Sequence, residues 1–345
     1  HLSHLIGLQS NASHLNVLKD VSTDLGKAEL DLLVGLDVNA GDLNVMKGVS
    51  SSLKANELGS LVGLTAEASE LNVLKGINVF VKQLSSRGQH TCSLLSDGKV
   101  KCWGDGNGGR LGYGDTDSRG DGLNEMGKKL SFVDLGTNKT AKQVAAGEAH
   151  TCAILNDDTV KCWGVGNGGR LGTGTANRGD GPNEMGDNLP KVNLGSGKTA
   201  KRIVAGNSHT CAILNDDTVK CWGYGNKGQL GYGATGNRGD NTHFMGDLLP
   251  TVDLGTNKTA KQLAAGGQHT CAVLNDNTVK CWGNNIDGRL GYGDKNNRGD
   301  SGQGATTCAG GKEMGDCLPV VDLGDGKTAK EVVAGASHTC AILND

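Results

Sequence analysis

From about Val81 to Asp345 the chain repeats one arrangement of apolar and polar positions. The apolar, β-compatible run "AAGEAHTCAIL" is followed by a polar tip, "NDD" or "SDG", and a second β run, "TVKCWG". Next come a glycine-rich stretch such as "GNGGRLGYG", a polar loop containing "RGD", and a further run such as "LPKVNLG". Copies begin at His90, His150, His209 and His269, and a fifth begins at His338 and stops at Asp345. The cysteine after "HT" falls at Cys92, Cys152, Cys211, Cys271 and Cys340, spaced 60, 59, 60 and 69. The last spacing is longer because "RGDGPNEMGD" at Arg178 becomes "RGDSGQGATTCAGGKEMGD" at Arg298, which brings in Cys308 and Cys317. Short strands with glycine turns, repeated every 60 residues or so, predict a mainly β chain of propeller blades, four full repeats and part of a fifth.

Residues 1–80 follow another rule. "ASHLNVLKDVS" (from Ala12), "AGDLNVMKGVS" (from Ala40) and "ASELNVLKGIN" (from Ala68) lie 28 apart, with half-related copies between them. Leucines recur at Leu2, Leu15, Leu30, Leu43, Leu58 and Leu71, so the half-unit is about 14 residues. Asn11 and Asn39 suit N-caps, and Gly35, Gly48, Gly63 and Gly76 suit stops, which predicts one or two helical turns per half-unit. Such a unit cannot bury its leucines alone. The expectation is a short-helix solenoid or stem over 1–80, joined to propeller repeats over 81–345 and packed against copies of itself.

Composition sharpens this. The 57 glycines and 3% aromatic content fit strands and tight turns better than helices. A net charge of -3 gives no electrostatic case for nucleic acid. No apolar run reaches the roughly 20 residues that span a bilayer. The chain begins at His1, so an upstream signal segment is compatible with the sequence.

The eleven cysteines admit three chemistries. A three-residue tip at Ser96–Gly98 makes Leu95 face Lys99, and stepping outward sets Cys92 opposite Cys102. Opposed Cα atoms lie roughly 4.5–5.5 Å apart, within reach of a disulfide. The same spacing pairs Cys152 with Cys162, Cys211 with Cys221 and Cys271 with Cys281, and Cys308–Cys317 would close the insertion. Cys340 is left over, its partner expected ten residues on. Zinc is the second reading: His90, Cys92 and Cys102 supply three ligands, but the unit holds no fourth and no CxxC. The third, a catalytic thiol, fits poorly with four equivalent copies. Disulfides imply an oxidising compartment, extracellular or at the cell surface.

The recurring "GxxHTCAIL…DGxVKCWGxGxxGxLGxG" resembles the repeat of the regulator of chromosome condensation family over about Val81 to Asp345. The resemblance implies a β-propeller, seven-bladed in that family. The paired cysteines and "EMGD…LP.VDLG" look like its cysteine-rich extracellular branch rather than the nuclear exchange factor. The "LNVLKG" stem resembles repeats of phage tail-fibre-like and surface proteins.

Other motifs have sharp and bland readings. Gly104, Gly106 and Gly109 match GxGxxG, but another glycine-rich β run follows instead of the helix a dinucleotide site needs, so a blade turn is expected. "RGD" at Arg119, Arg178, Arg238 and Arg298 reads as an adhesion peptide or, given its register, as an Arg–Asp bridge inside each loop. Asp115, Asp117 and Asp294 open calcium-like loops, yet the other two copies lack the acids and no Glu stands twelfth; no metal is expected. The "HT" histidines read as structural, and Trp103, Trp163, Trp222 and Trp282 as packing between blades. Asn11, Asn138 and Asn257 begin N-x-S/T sequons.

The sequence therefore points to a non-enzymatic extracellular structural protein without a cofactor, a subunit of a surface filament built through the stem. The alternatives are an adhesin or lectin-like propeller whose loops meet glycans and, on family analogy alone, a guanine-nucleotide exchange factor.

Overall fold

The computed structural model describes residues 79–241, 244–300 and 313–344. The chain divides between Val79 and Phe80, and the fold described is that of the second unit. The leucine-repeat stem, up to residue 78, lies outside the described residues.

Among the described residues, fourteen strands form five antiparallel sheets. The first holds β1 (Val81–Arg87), β2 (His90–Leu95) and β3 (Val100–Gly104). The second holds β4 (Ala141–Ala146), β5 (His150–Leu155) and β6 (Val160–Gly164). The third holds β7 (Ala200–Ala205), β8 (His209–Leu214) and β9 (Val219–Gly223). The fourth holds β10 (Ala260–Ala265), β11 (His269–Leu274) and β12 (Val279–Gly283), and the fifth β13 (Ala329–Ala334) and β14 (Thr339–Leu343). First strands of successive sheets adjoin one another, β1 to β4, β4 to β7, β7 to β10 and β10 to β13. These are propeller blades with their first strands innermost.

The sequence suggests one long apolar run before each polar tip, but the structure folds that run in two. "AAGEAHTCAIL" bends at Gly147–Ala149, so β4 pairs back on β5, with Ala146 opposite Thr151. A Cβ on Gly147 would fall 2.2 Å from the His150 imidazole, so the bend requires glycine. The run "LPKVNLG" forms no strand. It meets the blade edge through Val192 N–H, which donates to the Val160 carbonyl at 2.8 Å beside an isolated bridge of Lys161 with Lys191; Val133, Val252 and Val321 donate likewise on their own blades at 2.7–2.8 Å. At each tip the third residue is left-handed: Gly98 (φ 80), Asp158 (φ 62), Asp217 (φ 64) and Asn277 (φ 65). That is the turn chemistry of a three-residue hairpin.

Both faces of β5, β8 and β11 are buried, which explains their unbroken apolar runs. One face of each central strand meets the next blade. Cys92, Leu94, Val100 and Cys102 of the first blade pack with Val144, Ala153, Leu155 and Trp163 of the second. Cys152, Ile154, Val160 and Cys162 repeat this against Ile203, Leu214 and Trp222, and the third blade meets Trp282 in the same way. Polar groups reinforce the stack at the inner strands. The Gln83 amide accepts from Val144 N–H (3.1 Å) and donates to Val144 carbonyl (2.8 Å); Gln143 treats Ile203, and Gln262 Val332, the same way.

Trp163 is fully buried and fills this interface. Trp163→Ala is expected to cost about 3–5 kcal/mol. Trp103 is only half-buried, so Trp103→Ala should cost clearly less. Urea unfolding of the two variants, followed by circular dichroism, measures the difference.

Candidate functional site

The structure bonds Cys92 to Cys102, Cys152 to Cys162, Cys211 to Cys221 and Cys271 to Cys281. Each pair sits opposite in register, with Cα atoms 4.0–4.1 Å apart. All eight sulfurs lie inside the interfaces between blades, the residues at most 1% exposed. The thiols a zinc site or nucleophile would need are therefore consumed. Cys317 is also disulfide-bonded. Cys308, its expected partner, lies outside the described residues, and Cys340 is free and exposed.

The histidine of each of the first four "HT" pairs bonds to the threonine of the next. His90 Nε2 meets Thr151 Oγ1 at 2.8 Å, His150 meets Thr210 at 3.0 Å, and His209 and His269 meet Thr270 and Thr339 at 2.9 Å. Each threonine hydroxyl donates back to a carbonyl of the earlier blade, that of Arg110, Arg170, Gln229 or Arg289, at 2.9 Å. Its one proton is thereby spent, so the imidazole donates through Nε2–H. Trp163 Nε1 also donates to the Arg110 carbonyl, and Trp282 Nε1 to that of Gln229, both at 3.1 Å. These histidines are the hinge pins of blade stacking, not bases facing a cleft.

Other positions settle similarly. The carboxylates of Asp115 and Asp294 hold Arg119 (2.7 Å) and Arg298 (2.6 Å), and Asp117 donates its N–H to Asp115. Among the described residues, no three of His, Cys, Asp and Glu gather as metal ligands. Two of the "RGD" arginines, Arg119 and Arg298, thus bridge to the acid four residues upstream and not to their own Asp; Arg178 and Arg238 have Gly174 and Ala234 at that place. Their backbones pair with the glycine after each tryptophan, Gly104 with Arg119 and Gly164 with Arg178 among them. Gly179, Gly239 and Gly299 are buried, so three of the four tripeptides are not free adhesion loops. The GxGxxG glycines accommodate this same loop: a Cβ on Gly106 would fall 2.0 Å from the Asp117 carbonyl. The last three residues of the motif, Asn107–Gly109, form a one-turn 3-10 helix.

Asn138 and Asn257 are exposed at φ 57 and 58. Gly197 and Gly326 occupy the same turn at φ 66 and 67, so the left-handed turn itself selects Asn or Gly. Asn11 lies outside the described residues.

Two structural groups are not singled out by the sequence reading. The hydroxyls of Tyr113, Tyr232 and Tyr292 each bracket the backbone N–H and carbonyl of the second cysteine of their own blade, at 2.9–3.0 Å. Burial pushes Tyr113 up to about 12. Buried Lys161, Lys220 and Lys280 each donate to two loop carbonyls, those of Leu135 and Gly186 for Lys161 (3.1 and 2.7 Å). Burial lowers their ammonium groups. Tyrosine in "LGYG" and lysine in "VKCWG" recur in register, and that was the available signal.

Burial, with the neighbouring Arg110 and Arg289 guanidinium groups, pushes His90 and His269 down to about 4. Burial and His269 push His209 to about 3. Folded values lie below the unfolded value of about 6.5. The unfolded chain therefore takes up protons that the folded chain refuses as pH falls. Stability should be level from pH 7 to 8 and drop steadily from about 6.5 toward 4. Urea midpoints at pH 7.5, 6 and 5 measure the slope.

Four segments match the regulator of chromosome condensation (RCC1) repeat: 81–110, 141–170, 200–229 and 260–289. Each is one three-stranded sheet, ending at the residue whose carbonyl receives the next blade's threonine. A second description of the same repeat matches 216–273. The ultraviolet-B receptor UVR8 of Arabidopsis thaliana is 32% identical over 217 residues, 62% of this chain and 44% of that protein. The human E3 ubiquitin-protein ligase HERC2 is 28% identical over 265 residues, 75% of this chain and 5% of that protein. Among solved structures, Prp20p of Saccharomyces cerevisiae aligns with TM-score 0.57 at 21% identity, covering 84% of this chain and 62% of its own. Human WBSCR16 aligns with TM-score 0.56 at 18% identity, covering 78% and 59%. The chain thus spans less than two thirds of each of these proteins, and the structural likenesses show the fold alone. Repeat matches, blade architecture and fold likeness agree: between residues 81 and 289 the chain carries regulator of chromosome condensation (RCC1) repeats.

Proposed function

We propose that this protein is a non-enzymatic structural protein of the extracellular space or cell surface, a disulfide-stapled propeller body carried in a filament or appendage. The observation that carries this reading is the buried disulfide repeated in each of the first four blades. Disulfides of this kind persist in oxidising compartments. Its polar side chains support the reading too: the Nε2 atoms of His90, His150, His209 and His269, the hydroxyls of Tyr113, Tyr232 and Tyr292 and the buried lysines are engaged by internal carbonyls and neighbouring blades. The leucine repeat of residues 1–80 would supply self-association.

A second reading has a specific observation behind it. A receptor and a ubiquitin ligase carry stretches similar to this chain, so the propeller could instead serve as a recognition module of a larger protein. Prp20p is described by its binding to Gsp1p and histones, which keeps an exchange-factor-like role as a third reading.

Purification from the native source separates these. The structural reading expects the protein outside the cell, in large assemblies, with Asn138 and Asn257 shifting in mass on enzymatic deglycosylation. Cytosolic protein with unmodified asparagines would overturn it.

A further inference from the structure

Blades in a repeat array ordinarily touch only their neighbours. Most polar contacts here obey that rule. At the axial turns, Glu148 N–H donates to Gly206, Asn207 N–H to Gly267 and Gly267 N–H to Ala336, each one blade onward. Arg110, Arg170 and Arg289 also reach the turn of the next blade, at 3.3–3.5 Å. Arg87 breaks the rule. Its Nη1 donates to Asn207 Oδ1 at 3.1 Å, in the third blade. Its Nη2 donates to the carbonyls of Ala265 (2.6 Å) and Ala334 (3.0 Å), the last residues of β10 and β13. A side chain from the first blade that bonds the third, fourth and fifth must cross the axis that the inner strands surround.

The position is singular in the repeat. Where the first blade has Arg87, the other four have Gly147, Gly206, Gly266 and Gly335. A Cβ at any of these would fall 2.0–2.3 Å from that blade's own imidazole. The first blade instead extends its inner strand by one residue, pairing Arg87 with His90, and so makes room for a side chain. A guanidinium suits the task because its planar fork presents several donors to separated acceptors at once.

We infer that Arg87 is an axial pin, a single side chain that couples the first blade to the third, fourth and fifth and so makes a chain of neighbour contacts into one cooperative body. This holds whatever compartment the protein occupies. The test is hydrogen exchange read by mass spectrometry on the full chain, for the wild type, Arg87→Gly, Arg87→Lys and Asn207→Ala. Arg87→Gly installs the residue of the other blades. Peptides of β1–β2 and β13–β14 should then lose at least tenfold in protection while β5–β6 and β8–β9 keep theirs. Lysine lacks the fork, so Arg87→Lys should behave like the glycine variant. Asn207→Ala removes one bond of the three and should give a smaller loss in the same β1–β2 peptides. Protection of β1–β2 within twofold of wild type in Arg87→Gly, a uniform loss across all strands, or full retention in Arg87→Lys would overturn the pin. Should Arg87→Gly not fold, Arg87→Lys and Asn207→Ala decide the matter on the same peptides.

Discussion

The structure depends on one constraint: the central strands of the second, third and fourth blades have no wet face. A strand such as β5 is buried on both sides, so each sheet is stable only while a neighbour covers it. Disulfide, tryptophan and the His–Thr pair all lie on that shared surface. The disulfide holds two strands of one blade together. The tryptophan of the next blade packs on that bridge, and the His–Thr–carbonyl chain sets how far one blade is rotated on the next. Removing water from this surface is also what keeps the histidines neutral.

Repetition of such a surface favours a rigid body over a reaction centre. Catalysis asks for one place that differs from its surroundings, with groups left open to a substrate. Here the candidate groups recur in register, and the histidine Nε2 atoms and tyrosine hydroxyls bond to the protein itself. Carbonyl oxygens that might have faced solvent, such as those of Arg110 and Gln229, each receive a threonine hydroxyl and a tryptophan N–H. What differs between blades lies at the axis and in the loops, as Arg87 shows. Variation at those places is where a binding role would have to arise.

Much of this was legible in the residues because repetition amplifies weak local signals. One "HTC…KCWG" says little, but four copies in register give hairpins, the facing of Cys152 and Cys162, and the packing role of Trp163. The bend at Gly147 was not legible, since an apolar run of eleven residues looks alike straight or folded. The Arg119–Asp115 pairing was missed because the nearer acid, within "RGD", looked the natural partner, while the backbone path turns the arginine toward the older side of its loop. Gln83 and Arg87 were invisible for another reason: both act across blades, where sequence distance carries no information about spatial neighbours. Compartment, assembly and glycan occupancy belong to the protein's surroundings rather than to its packing, and so stand as proposals.

The account rests most heavily on the staples. Peptide mapping of the native protein under non-reducing conditions, with free thiols blocked before digestion, tests them directly. The expected result is four cross-linked peptide pairs, Cys92–Cys102, Cys152–Cys162, Cys211–Cys221 and Cys271–Cys281, with none of these eight cysteines carrying the blocking group. Recovery of those cysteines as blocked thiols, or cross-linked in any other pairing, would contradict it.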